Sequence, residues 1–161
     1  MATQNFGVLP TKNWQQGTFD GWEKIHGEEL TRRFLVKNTA CYACPIGCGR
    51  ITRVDDPRFA GEGEGPEYET IALLGSNCDI SDFGAIIRAA QLCDEYGIDT
   101  ISTGATVAFA MECFENGLLT VADTDGLELK FGNADALLAC VEKVARRDGF
   151  GDRLAEGSQR L

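Results

Sequence analysis

Residues 81–104 read SDFGAIIRAAQLCDEYGIDTISTG. Within them Phe83, Ile86, Ile87, Ala90 and Cys93 recur at i, i+3, i+4, i+7 and i+10, the apolar stripe of an amphipathic helix over 81–96. Ser81 is placed to cap its start, and Gly97 suits the left-handed position just past its end. Working outward, a second helix is expected from about Ser102 to Glu115, with Val107, Met111 and Phe114 on one side and Gly117 as its stop. A third runs from about Asn133 to Arg147, with Ala134, Leu137, Leu138, Val141, Val144 and Ala145 in helical register. A short fourth occupies Asp152–Gln159. Toward the N-terminus the pattern is less regular: Pro10, Pro45, Pro57 and Pro66 are the only prolines, and proline breaks helices. Gly27–Val36 and Glu67–Leu74 read as short helices and Ile51–Val54 as a short strand. Asp55–Gly65 (DDPRFAGEGEG) reads as a flexible, acidic, Gly-rich insert. The expected fold is mostly α: a multihelical domain with an irregular, Pro/Gly-containing cysteine region in its first third.

The composition suits one such domain. The chain has 161 residues, 43% hydrophobic and 25% charged, long enough to bury a core. Twenty-five acidic against 15 basic residues give a formal charge of −10, which repels phosphate backbones and anionic membranes, so neither nucleic acid nor a membrane surface is an expected partner. No apolar run is long enough to span a bilayer. The opening MATQNFGVLPTKNWQQGTF has neither a basic nor an apolar signal region, so a cytoplasmic location is expected. The ending, GSQRL, reads as that of a segment of a larger protein.

Seven cysteines stand at 41, 44, 48, 78, 93, 113 and 140. An odd count without an export signal argues against a complete disulfide framework. Cys41, Cys44 and Cys48 crowd into CYACPIGC, a Cys-x2-Cys-x3-Cys spacing that lets thiolates converge on one soft metal centre, with Gly47 and Gly49 loosening the backbone. An iron–sulfur cluster takes four thiolates, commonly three close together and one remote. A structural zinc held by these cysteines with His26, the single histidine, is the rival reading. Plain thiols without metal are the other. Cys93, Cys113 and Cys140 fall within helices beside apolar positions, where cysteine acts as a small hydrophobe. Cys78, in GSNCDI, is the local candidate for a fourth ligand.

Four segments taken together, LPTKNWQQGTF (9–19), CYACPIGCGR (41–50), GPEYETIALLGSNCDI (65–80) and CDEYGIDTISTG (93–104), resemble aldehyde:ferredoxin oxidoreductases. These are tungsten enzymes with a bis-pterin cofactor and a 4Fe–4S cluster. The resemblance runs in order along nearly the whole chain and corresponds to the family's middle helical domain, without the N-terminal β-rich domain or the C-terminal helical domain. It implies that Cys41, Cys44 and Cys48 are three cluster ligands, the fourth lying beyond Leu161, which disfavours Cys78. It implies that Asp94, Gly97, Ile98 and Asp99 form the first of two D-x-x-G-L-(C/D) pterin-binding motifs. Asp94 offers an acceptor-only carboxylate to the N–H edge of a pterin. Thr100, Ser102 and Thr103, with the free N–H groups of the next helix, are placed for a pterin phosphate. Glu69 matches a glutamate near the tungsten, a position suited to proton transfer as water or hydroxide adds to an aldehyde carbonyl. Glu67 is the competing carboxylate.

One departure stands out. Some members hold a subunit-bridging iron with Glu-x-x-His on the helix before the first pterin motif, and this chain has Arg88-Ala-Ala-Gln91 there. Glu23-x-x-His26 has the spacing but lies elsewhere. The function implied is the oxidation of aldehydes to carboxylates at a tungsten (or molybdenum) bis-pterin, with ferredoxin as electron acceptor and a small aldehyde as substrate. The 161 residues alone are expected to be inactive without the remaining domains. A carboxylate- or aromatic-ring-reducing relative is the first alternative, and a small zinc-stabilised interaction module is the second.

Overall fold

The computed structural model describes residues 2–161. Its elements are α1 (Ala2–Asn5), α2 (Gly27–Arg33), strands β1 (Leu35–Thr39), β2 (Gly49–Val54) and β3 (Gly61–Glu64), then α3 (Tyr68–Leu74), α4 (Phe83–Tyr96), α5 (Thr100–Glu115), α6 (Ala134–Arg146) and α7 (Phe150–Leu154). The mostly helical expectation holds, and the front third differs in detail. The strands form one antiparallel sheet in the order β1-β2-β3, with a register irregularity between Leu35 and Lys37. The helix expected over Gly27–Val36 stops at Arg33, because Phe34 turns into the core and Leu35 begins to pair with Thr52.

The expected flexible insert is ordered. Phe59 within it is 1% exposed, and its last residues form β3. The physical reason lies in α4. Besides the predicted apolar stripe, α4 has a second face made by Gly84, Arg88 and Gln91, and the sheet lies against it. A Cβ on Gly61 would sit 2.5 Å from the Gln91 Oε1, and one on Gly63 would sit 3.2 Å from the Gln91 Cγ. The glycines of GEGE therefore permit close approach of a strand to a helix, where sequence reading alone saw flexibility. With α3 and α6 packed on it as well, α4 is buried from Phe83 to Cys93 save for Arg88.

Local capping chemistry sets the helix ends. Asp82, not Ser81, caps α4, its carboxylate accepting from the backbone N–H groups of Gly84 and Ala85. At the other end Gly97 adopts φ 69°, ψ 34°, its N–H donating to the Asp94 carbonyl (3.2 Å) and that of Ile98 to the Cys93 carbonyl (2.9 Å). This is the Schellman arrangement. Asp99 caps α5, which begins at Thr100 rather than Ser102, and Asn133 caps α6. The short last helix is α7, ending at Leu154, because its buried Phe150, Gly151 and Leu154 face the core. No helix among the described residues is long and apolar enough to cross a membrane.

Candidate functional site

The D-x-x-G-I-D segment is first of all a helix-to-helix corner. Gly97 supplies the left-handed turn, Ile98 is the residue after it and half-buried against the core, and Asp99 opens α5. The Asp99 carboxylate accepts from the Ser102 N–H at 2.6 Å. Hydrogen bonds from the Ser102 side chain and backbone hold that carboxyl below the usual carboxylate range. Asp94 is different. Its side chain neither ends α4 nor starts α5, and it faces a cleft of about 270 Å³.

That cleft unites segments far apart in sequence. Asp94 and Thr100 line it from the α4–α5 corner, Glu64 and Pro66 from the end of β3, and Glu67 and Thr70 from the start of α3. The hydroxyls of Thr70 and Thr100 lie 2.8 Å apart. Asp94 is exposed as a whole residue, yet desolvation of its carboxyl pushes its pKa up, and the charges of Glu64 and Glu95 push the same way. The other half of the motif faces elsewhere: Ile98, Asp99, Ser102 and Thr103 line a separate, mainly apolar cleft of about 200 Å³ against Val144 and Leu154. Thr100 is thus parted from Ser102 and Thr103, and the Ser102 N–H expected to face a phosphate is occupied by Asp99.

Glu69 lies in the first turn of α3, exposed and outside the lining of the cleft. The carboxylate that this segment contributes to the cleft is Glu67, bonded at 3.1 Å by the Arg50 Nη2. Glu64 is a lining residue that sequence reasoning missed; as one acid of GEGEG it carried no signal until β3 formed.

Cys41, Cys44 and Cys48 are free thiols on the loop joining β1 to β2. The loop is closed by the Thr39–Gly49 pair. Positive φ at Ala43 (56°) and Gly47 (60°) turns it, and the Cys44 N–H donates to the Cys41 carbonyl at 3.0 Å. Gly49 has another task than loosening the loop, since a Cβ there would meet the Thr39 Oγ1 at 2.6 Å. Among the described residues no three His, Cys, Asp or Glu side chains gather as a single-ion site requires. His26 is engaged elsewhere, its Nδ1 accepting from the Glu28 N–H at the start of α2. The donor chemistry, three free thiols on one closed loop, suits a cluster that takes its thiolates at separate corners.

Cys78 is withdrawn from any such role. It ends a 3-10 turn (Ser76–Cys78), is 0% exposed, and its thiol donates toward the Leu73 (3.4 Å) and Gly104 (3.7 Å) carbonyls. Where the bridging-iron motif would lie, Arg88 pairs with Glu95 at 3.0 Å and Gln91 is buried beneath β3.

The chain is similar to known proteins. A family described as "Aldehyde ferredoxin oxidoreductase, domains 2 & 3" matches residues 1–161. Tungsten-containing aldehyde ferredoxin oxidoreductases of Pyrococcus furiosus and Thermococcus kodakarensis are each 47% identical over 156 residues, covering 96% of this chain and 25% of theirs. The WOR-like subunit of an aliphatic sulfonate oxidoreductase from Pyrococcus furiosus is 33% identical over 152 residues, 94% of this chain and 24% of that one. Among solved structures, the active-site complex of a benzoyl coenzyme A reductase with 1,5-dienoyl-CoA superposes with a TM-score of 0.69 at 30% identity, over 82% of this chain and 19% of that chain. The chain thus spans about a quarter of the length of the curated relatives it matches.

Proposed function

The chain belongs to the aldehyde ferredoxin oxidoreductase family, and on that premise we propose that it is the cofactor-binding segment of a cytoplasmic tungsten–pterin, iron–sulfur enzyme that oxidises small aldehydes to carboxylates and passes electrons to ferredoxin. The observation that supports this reading is a chain of contacts through three segments. Arg50 bonds both the Cys48 carbonyl and Glu67, and Glu67 shares its cleft with Asp94.

When bound, the tungsten (or molybdenum) bis-pterin and the 4Fe–4S cluster supply the redox chemistry, and the protein contributes orientation and electrostatics. Cys41, Cys44 and Cys48 would supply three of the cluster's thiolates. Asp94 accepts hydrogen bonds from the N–H edge of a pterin, since a carboxylate receives two donors in parallel. Gly97 and Ile98 hold the corner that aims Asp94, Asp99 fixes the start of α5, and Thr100 ties that start to α3 through Thr70. Glu69 is the carboxylate that takes or returns a proton as water adds to the aldehyde carbonyl, with Glu67 its competitor. The remaining domains supply the fourth thiolate and the second pterin motif, so the isolated 161 residues are inactive.

The test is metal, sulfide and pterin analysis of the full-length protein purified without oxygen, with aldehyde-dependent viologen reduction. Four irons and four sulfides per chain are the expected content of one 4Fe–4S cluster. Asp94→Asn is expected to lower pterin content while leaving iron in place. A colourless protein with one zinc would sink the reading, and aldehyde turnover by the 161 residues alone would refute their inactivity. Comparing Glu69→Gln with Glu67→Gln assigns the proton carrier. The likeness to the benzoyl coenzyme A reductase complex favours, as the second reading, reduction of an aromatic-ring thioester. Assays of aldehydes against aryl thioesters separate the two.

A further inference from the structure

Arg50 is the first side chain beyond the cysteine loop that reaches back to it. It stands in β2, and its Nη2 donates to the Cys48 carbonyl at 2.9 Å and to both Glu67 carboxylate oxygens at 3.1 Å. Its stem is also confined: a Cβ on Gly65 would lie 2.5 Å from the Arg50 Cγ. The side chain is 24% exposed, against 56% for that of Glu67. A half-exposed ion pair of this kind adds little to stability. Stability is therefore not the main consequence of the arrangement, in which Nη2 gives one N–H to the Cys48 carbonyl and shares the other between the Glu67 oxygens. What the arrangement does achieve is a cation fixed beside the thiol loop in a chain of formal charge −10, with its counter-ion on the wall of the cleft that Asp94 lines.

We infer that Arg50 is a positioning residue that locks the Cys48 end of the loop to the Glu67 wall of the cleft and sets the electrostatic field at the loop's thiols, Glu67 tempering that field. The inference rests on the reading of Cys41, Cys44 and Cys48 as cluster ligands. Adding an electron makes a cluster more negative, so a nearby cation favours the reduced form and raises the reduction potential, while a nearby anion lowers it. Arg50 and Glu67 therefore act on that potential with opposite sign.

The test uses the full-length protein carrying its cluster, with Arg50→Gln, Arg50→Lys and Glu67→Gln. Iron per chain and the EPR-monitored midpoint potential are read for each. Arg50→Gln is expected to shift the potential downward and Glu67→Gln upward. Arg50→Lys keeps the charge without the planar fork and is expected to keep the potential close to that of the unsubstituted protein. A structural role alone would not produce two shifts of opposite sign with rescue by lysine. Unmoved potentials, or shifts in the same direction, overturn the inference while leaving the proposed function standing. If Arg50→Gln does not load iron, Glu67→Gln decides, because Glu67 ligates nothing: an unmoved potential there overturns the inference. Absence of any cluster signal in the unsubstituted protein removes the proposed function and this inference together.

Discussion

The Thr70 and Thr100 hydroxyls, 2.8 Å apart, join α3 to the start of α5 at the cleft that Asp94 lines. Thr70 is 8% exposed and Thr100 half-buried, so the valine variant at Thr70 leaves the Thr100 hydroxyl without that partner. Thr70→Val is expected to cost about 1 kcal/mol in urea unfolding. Thr70→Val/Thr100→Val together should cost less than the sum of the two, since removing both partners leaves neither unpaired. Strict additivity in a double-mutant cycle would show that the hydrogen bond carries no energy.

Gly104 sets how closely α5 crosses α3. A Cβ there would lie 2.6 Å from the Leu73 carbonyl carbon and 2.7 Å from its oxygen, and backbone atoms cannot step aside as a side chain does. Gly104→Ala is expected to destabilise by about 1–3 kcal/mol, seen as a lowered Tm. Gly27→Ala, with nothing within 4 Å of the new Cβ, should be near neutral. Equal Tm values for the two would refute the close-approach account.

Asp99 and Asp94 respond to pH with opposite sign. Hydrogen bonding at Ser102 lowers the Asp99 pKa, so its contribution is complete above the ordinary carboxylate range and is lost as pH falls through the lowered value. Asp99→Ala is expected to cost about 1 kcal/mol at pH 7 as a lost cap, a difference that shrinks in acid.

Asp94 has a raised pKa, chiefly from desolvation. Its stabilising form is the protonated one, present below the ordinary range and lost as pH rises through the raised value. Asp94→Asn should therefore raise Tm at pH 7 and change little in acid, whatever it does to pterin retention. A lower Tm at pH 7 would contradict that sign.

The thiols divide by burial. Desolvation pushes the Cys78 thiol far up and those of Cys93 and Cys140 up to about 12, leaving almost no thiolate at pH 8. Cys41 and Cys48 are exposed. Iodoacetamide on the native, metal-free protein followed by peptide mass analysis should modify Cys41 and Cys48 first and spare Cys78, Cys93 and Cys140 until denaturant is added. Early labelling of Cys78 would reopen its candidacy as a ligand.

Much of the helical half was legible in sequence because helix periodicity and caps act within a few residues. The stripe from Phe83 to Cys93, Gly97 as a left-handed stop and Asn133 at the start of α6 all follow from neighbours three or four positions away. The sheet was not legible. Glycine in Gly61 and Gly63 signals freedom when read locally, and its use here is to let β3 lie against Gln91, which is 28 residues away from Gly63 along the chain. Ser81 was read as the cap of α4, and Asp82, one residue on, takes that place by accepting from the Gly84 and Ala85 N–H groups.

The cysteine spacing, the acidic D-x-x-G-I-D corner and the run of helices were thus determined by the sequence itself, since each depends on residue type at short separation. Only the tertiary structure decided that Asp94 faces a cleft while Asp99 is a cap, that Glu67 rather than Glu69 lines that cleft with Glu64, that Cys78 is core, and that Arg50 joins the thiol loop to the cleft wall. Each of these turns on which distant backbone a side chain meets, and that is fixed by the packing of β3 and α3 against α4 and α5, which no local pattern specifies.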